Sequence, residues 1–510
     1  MARTGGGSVG LRWWRRLRRR PVGLQVAAVG LVVVVVAGVG VVVATGGSRT
    51  GTTTGADAGG LGAGGRVTPP DQASTSWRGV VGNTINVVFP VVNLSNLSDQ
   101  LGFAGDPEDA QQVTAINFYV KQINDDGGIH GRKIHAIITD YDPTDEAGMR
   151  ALCKQWTEGT PPVFAVVDGL GAWTGDNELC IAQEGHTPFI GEWTTVTDWT
   201  TKGSPYLWWL GPDQAVILHT LVAWAHSAGD IGDGQKLGIV AGDRASDQLA
   251  LNEYLLPFLK AVGIRHPVVE TLASDPTDSA TTASEAPLVA QRLRAAGVTV
   301  VIPLVPFNAL FPYLQAETTQ QYFPRLLLSD YESTIGIGLG LVPVPYEKAL
   351  DGQEGVTVET LGGIDDDRPE AKGGYDTGVR SCFDSFRTSP TYPFPAPPVH
   401  PGPWIEEQGP IASWCQGIRL FAEAAQKAGR NLNRRSFVEA LASIENYPGT
   451  LSPTLSYGTG KFYGPTEFRV VRIHTNDPSH NQCINNYQGR VQATCWVVVQ
   501  NWTPLVTSDR

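Results

Sequence analysis

Between residues 84 and 330 the chain alternates two hydrophobic periods. The run TINVVFPVV (84–92) is continuously apolar and rich in β-branched residues, which predicts a strand buried on both faces. Val113, Ile116, Val120 and Ile123 then recur three or four apart, one face of a helix. KIHAIITDYD (133–142) returns to strand and MRALCKQW to helix. VFAVVDG (163–169), a helix at roughly 173–185 and PFIGEW (188–193) follow. After Pro212 the series repeats. Helices are expected at 213–228, 246–262, 286–296 and 308–319. Between them lie the strands KLGIVAGD (236–243), PVVETLA (267–273), VTVVIPLV (298–305) and RLLLSD (325–330). Such alternation predicts an α/β fold of parallel sheets covered by helices. The break near residue 210 predicts two similar Rossmann-like lobes, in which ligands sit at the carboxyl ends of strands.

The stretch INDDGGIHGRKIHAIITDYDPT (123–144) is punctuation within that series. Asn124 to Gly128 stops a helix, with Gly127 or Gly128 free to take the left-handed cap. Residues 129–133 link tightly into the next strand. Asp140 and Asp142 mark that strand's carboxyl end rather than a catalytic acid and base.

The chain's start changes the picture of where the fold resides. Seven arginines and no acid occupy the first twenty residues, and eleven of the nineteen residues Val26–Ala44 are valine. A bilayer core needs roughly 20 apolar residues as helix, and the arginine block should stay cytoplasmic. Residues 1–21 therefore read as a cytoplasmic basic segment. Residues 22–45 read as a transmembrane signal anchor or a signal peptide, and 46–80 as a Gly/Thr/Ala-rich tether. Nine of the 38 basic residues but only one of the 50 acids precede residue 67, so the remainder carries 29 bases against 49 acids. That surface disfavours nucleic acid. An even number of cysteines outside the cytoplasm suggests disulfides. Sequence neighbours are expected to pair: Cys153–Cys180, Cys382–Cys415 and Cys483–Cys495. The prolines of TSPTYPFPAPPVHPGP, within an insertion at 388–410, read as extended surface chain or as an aromatic-groove ligand. No GxSxG, P-loop, HExxH or well-placed GxGxxG is present, and the nine histidines form no pair at ligand spacing. An enzyme, a metal site and a cofactor are not expected.

The block AINFYVKQINDDGGIHGRKIHAIITDYDPTDEAGMRALCKQW resembles the first half of the type I periplasmic binding proteins, in their leucine/isoleucine/valine-binding branch. VFAVVDGLGAWTG, HTPFIGEWTT and KLGIVAGDRASDQ resemble that family's later strands and turns. The resemblance implies two lobes joined by three crossovers, here near Leu210, Gly362 and Ser452. Lobe 1 would be residues 83–210 plus 362–452, and lobe 2 residues 211–361 plus 453–510. It implies a small polar ligand (an amino acid, an amide or a related amine) closed between the lobes. An ABC permease would be the partner; the alternative is a membrane-anchored sensing or partner-binding ectodomain of the same fold. By the family pattern the ligand would meet Phe103, the turn at Ala172 and Trp173, then Trp193, Thr194 and Thr195, Asp247, Phe307, and Tyr331 or Glu332. Ala172 stands where the family has a carboxylate-gripping serine, and Asp247 where it has an aromatic. Each residue also has a plainer reading. Trp173 and Trp193 can cover lobe packing, the threonines can be turn residues, Asp247 can cap a helix, and Glu332 can be a surface acid.

Overall fold

The apolar run 84–92 becomes the centre of the first sheet. In the computed structural model the described residues lie between 77 and 507. Residues 93–108, 143–144, 168–175, 192–195, 233, 276–277, 333, 336–345, 361–380, 383–384, 387, 393–404, 476–484, 488–489 and 493 lie outside the description, as do 1–76 and 508–510. A two-residue strand, β1 (Val80–Val81), pairs antiparallel with the start of β2 (Thr84–Val92). All of β2 but its first residue is buried, as a strand covered on both faces must be. It pairs in parallel with β3 (Lys133–Tyr141) and β4 (Ala165–Val167). β5 (Phe189–Gly191) and β6 (Leu207–Trp209) extend the sheet in parallel.

The glycine punctuation has a steric cause. Helix Asp109–Asp125 stops where Gly127 and Gly128 adopt φ of 102° and 67°. A Cβ on Gly128 would lie 2.1 Å from the Arg132 carbonyl oxygen. Asn124 ties the helix end to the next strand: its Nδ2 donates to the Ile134 carbonyl at 2.9 Å, and its Oδ1 accepts from the Ile134 N–H at 2.8 Å.

The second sheet runs in the order β17, β14, β11, β10, β9, β7, β8. Its parallel strands are β7 (Leu237–Gly242), β8 (Val268–Leu272), β9 (Val300–Leu304), β10 (Arg325–Ser329) and β11 (Glu354–Thr357). Helix Gln214–Ala228 and the helical residues 245–261 cover one face; Ser279–Ala295 and Phe307–Gln320 cover the other. The third of these helices starts earlier than the expected residue 286. Asp278 accepts from the Thr281 N–H at 3.1 Å and caps Ser279, leaving Pro287 inside the helix. The helix expected at 173–185 is shorter among the described residues: Asp176–Leu179, then a wider π-helical turn, Cys180–Glu184.

Beyond residue 360 the sequence periods predict little, and the chain returns to the first sheet. Helices Ile405–Lys427 and Arg434–Leu441 carry Trp414, Phe421 and Phe437 into the first core, and Ile405–Lys427 packs on Asp109–Asp125. The first of them begins within the proline-rich span 388–410. A small antiparallel pair, β12 (Tyr447–Pro448) and β13 (Thr454–Leu455), follows. The return to the second sheet was expected at Ser452; instead Leu455, Tyr457 and Phe462 still pack in the first core. The chain joins the second sheet at β14 (Glu467–Thr475). A short hairpin of β15 (Asn485–Tyr487) and β16 (Arg490–Gln492) leads to β17 (Thr494–Pro504). β14 lies antiparallel to both β11 and β17.

Three crossings join the lobes and bond to one another. The Trp209 N–H donates to Phe462 O at 2.8 Å, and Trp209 O accepts from the Gly464 N–H at 3.0 Å. The Thr360 N–H donates to Leu451 O at 2.7 Å. Because β6 and β11 both lead into crossings at their carboxyl ends, those ends of the two sheets converge on the junction. Cys153–Cys180 and Cys382–Cys415 are disulfide-bonded, with Cα–Cα distances of 6.2 and 6.0 Å. The third expected pair includes Cys483, which lies outside the described residues. So does the valine run 26–44; among the described residues no helix is long and apolar enough to cross a membrane.

Candidate functional site

The carboxyl ends of β7 and β10 build one charged cluster. Gly242 closes β7, and a Cβ there would lie 2.2 Å from Asp247 Oδ2 and 2.6 Å from Ser274 Oγ. Glycine is what lets that carboxylate approach the strand end. The chain then turns through Asp243 and Arg244 into the helical residues from Ala245, so Arg244 and Asp247 stand one helical turn apart. Arg244 Nε donates to Asp247 Oδ2 at 2.8 Å and Nη2 to Oδ1 at 2.8 Å, a side-on bidentate pair. Ser274 Oγ donates to Oδ2 at 3.2 Å, and the Tyr331 hydroxyl donates to Oδ1 at 2.6 Å. Asp243 Oδ1 accepts from the Ser274 N–H at 2.9 Å and lies 3.0 Å from Ser274 Oγ, whose single proton is shared between the two carboxylates.

Asp247 is therefore fully buried, with four donors on its two oxygens. Its expected role as an acid offered to a ligand ammonium does not fit this geometry, because its charge is already spent on Arg244. It does not cap the helix either: Arg244 holds the N-cap position and Asp247 sits in the first turn. Tyr331 is buried and bound to Asp247. Burial, and then the Asp247 charge, push its phenol well above the ordinary range.

Glu332 is the part of the cluster that meets solvent. Its side chain is 24 % exposed, and Oε1 lies 3.2 Å from Arg244 Nη2. Burial raises its carboxyl above the usual range while Arg244 works the other way. For Arg244, burial opposes the charge, but Glu332 and Asp247 outweigh it and hold the guanidinium well above its ordinary value. The sequence reading names Asp247, Tyr331 and Glu332 and misses Arg244, which pairs with both Asp247 and Glu332. The signal was present in GDRASDQ, an arginine three residues before an aspartate just after a strand.

Phe103, Ala172, Trp173, Trp193, Thr194 and Thr195 lie outside the described residues, and Phe307 opens helix Phe307–Gln320 at the carboxyl end of β9. A second pair of acids sits at the crossings. Asp330 Oδ2 accepts from the Val358 N–H at 2.6 Å, and burial raises its carboxyl to about 7. Burial, and then Asp330, raise Glu359 to about 8. Among the described residues no group of His, Cys, Asp and Glu could hold a metal ion.

Residues 93–335 match the periplasmic binding protein family. The chain's resemblance is thus to the type I periplasmic binding proteins, in which solved ABC transporter substrate-binding proteins share its fold. An ABC transporter substrate-binding protein from Desulfitobacterium hafniense, in complex with Leu, superposes with a TM-score of 0.54. It is 13% identical over 80% of this chain and 99% of its own. A solute-binding protein of an ABC transporter from Rhodopseudomonas palustris, in complex with 3,4-dihydroxybenzoic acid, gives 0.57 at 14% identity over 84% and 99%. A fatty acid ABC transporter substrate-binding protein from Thermomonospora curvata gives 0.55 at 17% identity over 85% and 95%. No curated protein matches the chain. At these identities the shared feature is the periplasmic binding protein fold itself.

Proposed function

We propose that the chain is an extracytoplasmic solute-binding protein. It holds a small polar solute between its two lobes and presents it to an ABC permease without transforming it. The observation that carries this reading is the convergence of the carboxyl ends of both sheets on three mutually bonded crossings, with a charged, partly solvent-facing cluster at the second lobe's edge. Among the described residues the chain passes between the two sheets at three places, which supports a ligand drawing the lobes together. Solved proteins of this fold carry leucine and 3,4-dihydroxybenzoic acid, and another is named for fatty acids, which supports small solutes over macromolecules. The valine run at 26–44 and the tether after it place the folded part outside the cytoplasm, anchored if the run is retained.

The amine grip expected from Asp247 does not enter this proposal. An ammonium approaching that carboxylate would meet the Arg244 guanidinium first. The test is a thermal-shift screen of amino acids, amides, polyamines, short peptides and small carboxylates on the soluble part. A ligand at 100 times its Kd stabilises the folded state by about 2.7 kcal/mol. Absence of stabilisation by every class would overturn the proposal.

A further inference from the structure

We propose that Glu332 is an internal stand-in for the ligand: a solute carboxylate displaces it from Arg244 and takes the end-on fork of the guanidinium. This rests on the solute-binding reading above and names the ligand class for the same site. The two acids on Arg244 are held very differently. Asp247 takes the side-on edge through Nε and Nη2, is fully buried, and receives two further hydrogen bonds from Ser274 and Tyr331. It is a permanent part of the scaffold. Glu332 meets Arg244 through Nη2 at 3.2 Å, receives no hydrogen bond from Ser274 or Tyr331, and its side chain is 24 % exposed. Its backbone sits at φ 48°, the left-handed region that disfavours any residue with a Cβ.

What Arg244 has left to offer is specific. Among the described residues no hydrogen bond to its Nη1 is found, and the side chain is 16 % exposed. Nη1 and Nη2 together form a fork that matches the two oxygens of one carboxylate. Glu332 makes an ion-pair contact at 3.2 Å there. A ligand carboxylate that accepts from both nitrogens gains two charge-assisted hydrogen bonds in place of that contact. Asp247 and Tyr331 position the guanidinium; Arg244 is the residue that selects the ligand. An amine-only ligand is disfavoured because its positive charge would face Arg244 whenever Glu332 is displaced.

The test is calorimetric titration of the soluble part with leucine, 3,4-dihydroxybenzoate and octanoate, each beside a neutral counterpart in which an amide replaces the acid. The expected result is that at least one acid binds about 100-fold more tightly than its amide. Glu332→Gln should then tighten that acid by about three- to tenfold, because the competitor has lost its charge. Arg244→Lys keeps the charge but loses the fork and should weaken the acid about tenfold or more. Arg244→Met should weaken it further, and Arg244→Lys keeps the test open should that variant not fold. Weaker acid binding in Glu332→Gln would show that Glu332 holds the ligand rather than competes with it, and would overturn the inference. So would equal binding of acid and amide, or wild-type affinity in Arg244→Lys. If the wild type binds solutes from the wider screen but none of the three acids, this inference falls while the solute-binding proposal stands. If it binds nothing, both fall.

Discussion

Asp247→Asn should destabilise the unliganded protein, and the size of the loss follows from its surroundings. The side chain is fully buried, and both its oxygens accept from Arg244. The substitution keeps the shape but removes the negative charge. It also turns one acceptor oxygen into an N–H donor that faces either Arg244 and Tyr331 or Arg244 and Ser274. Breaking a buried ion pair from one side costs about 3–5 kcal/mol, because the remaining charge is left unpaired. Arg244 is 16 % exposed and keeps its Glu332 contact, so the lower end, about 3 kcal/mol, is expected. For a body of this size, a melting-temperature loss of roughly 2–4 °C per kcal/mol gives about 6–12 °C. Tyr331→Phe removes a single hydrogen bond to the same carboxylate and should cost about 1.5–3 kcal/mol. The double variant should lose less than the sum of the two, since both changes act on one acceptor. Differential scanning calorimetry of the three variants at one pH is the assay. A melting temperature for Asp247→Asn within 2 °C of wild type, at this expected scale of about 3 kcal/mol, would refute the reasoning. It would mean that the carboxylate is not the keystone of the cluster and is free for a ligand.

Three other outcomes can be checked independently. Glu317 is fully buried, no ion pair to it is found among the described residues, and burial pushes its carboxyl well above the usual range. A raised folded-state value means that its contribution to stability is complete below about pH 4, the ordinary glutamate range, and is lost as pH rises through the folded value. Glu317→Gln should therefore melt progressively above wild type as pH rises from 5 to 9, a gap that pH-resolved thermal melts would show or exclude. Replacing Cys153 and Cys180 by alanine opens a loop with a sequence separation of 27 and should cost about 3–4 kcal/mol by chain entropy, read from denaturant midpoints. Full-length chain should be recovered in the membrane pellet of its host. A mature form beginning between residues 44 and 60 and found only in the culture fluid would show that the valine run is cleaved.

How far the sequence could be read depended on which forces were local. β2, β3, β7 and β10 are legible because their apolar runs are long and continuous, and a parallel strand buried on both faces has no other pattern. The first two helices of the second lobe are legible for the complementary reason, a clear helical period opened by a cap at Asp213 or by the Gly242 turn. The return of the chain after residue 360 is not legible. Trp414, Phe421 and Phe437 look like any buried helical face, and nothing local says which of two sheets they cover. β14 and β17 hide likewise, since an antiparallel ribbon is specified by its partner.

The site divides along the same line. Each acid of the cluster could be named from its place after a strand, because the end of a strand is a local fact. What could not be read is the contact spanning 84 residues, from Asp247 to Tyr331, that fixes the carboxylate in place. The pairing with Arg244, only three residues away, reverses the chemistry. Asp247, read alone, invites a cation. Asp247 bound to Arg244 presents one instead, since the aspartate fixes the guanidinium with its end-on fork outward. If the solute binds here as proposed, it meets a positioned positive charge beside Glu332, and the proposed preference for acids over amides rests on that arrangement rather than on the count of acids near the strand ends.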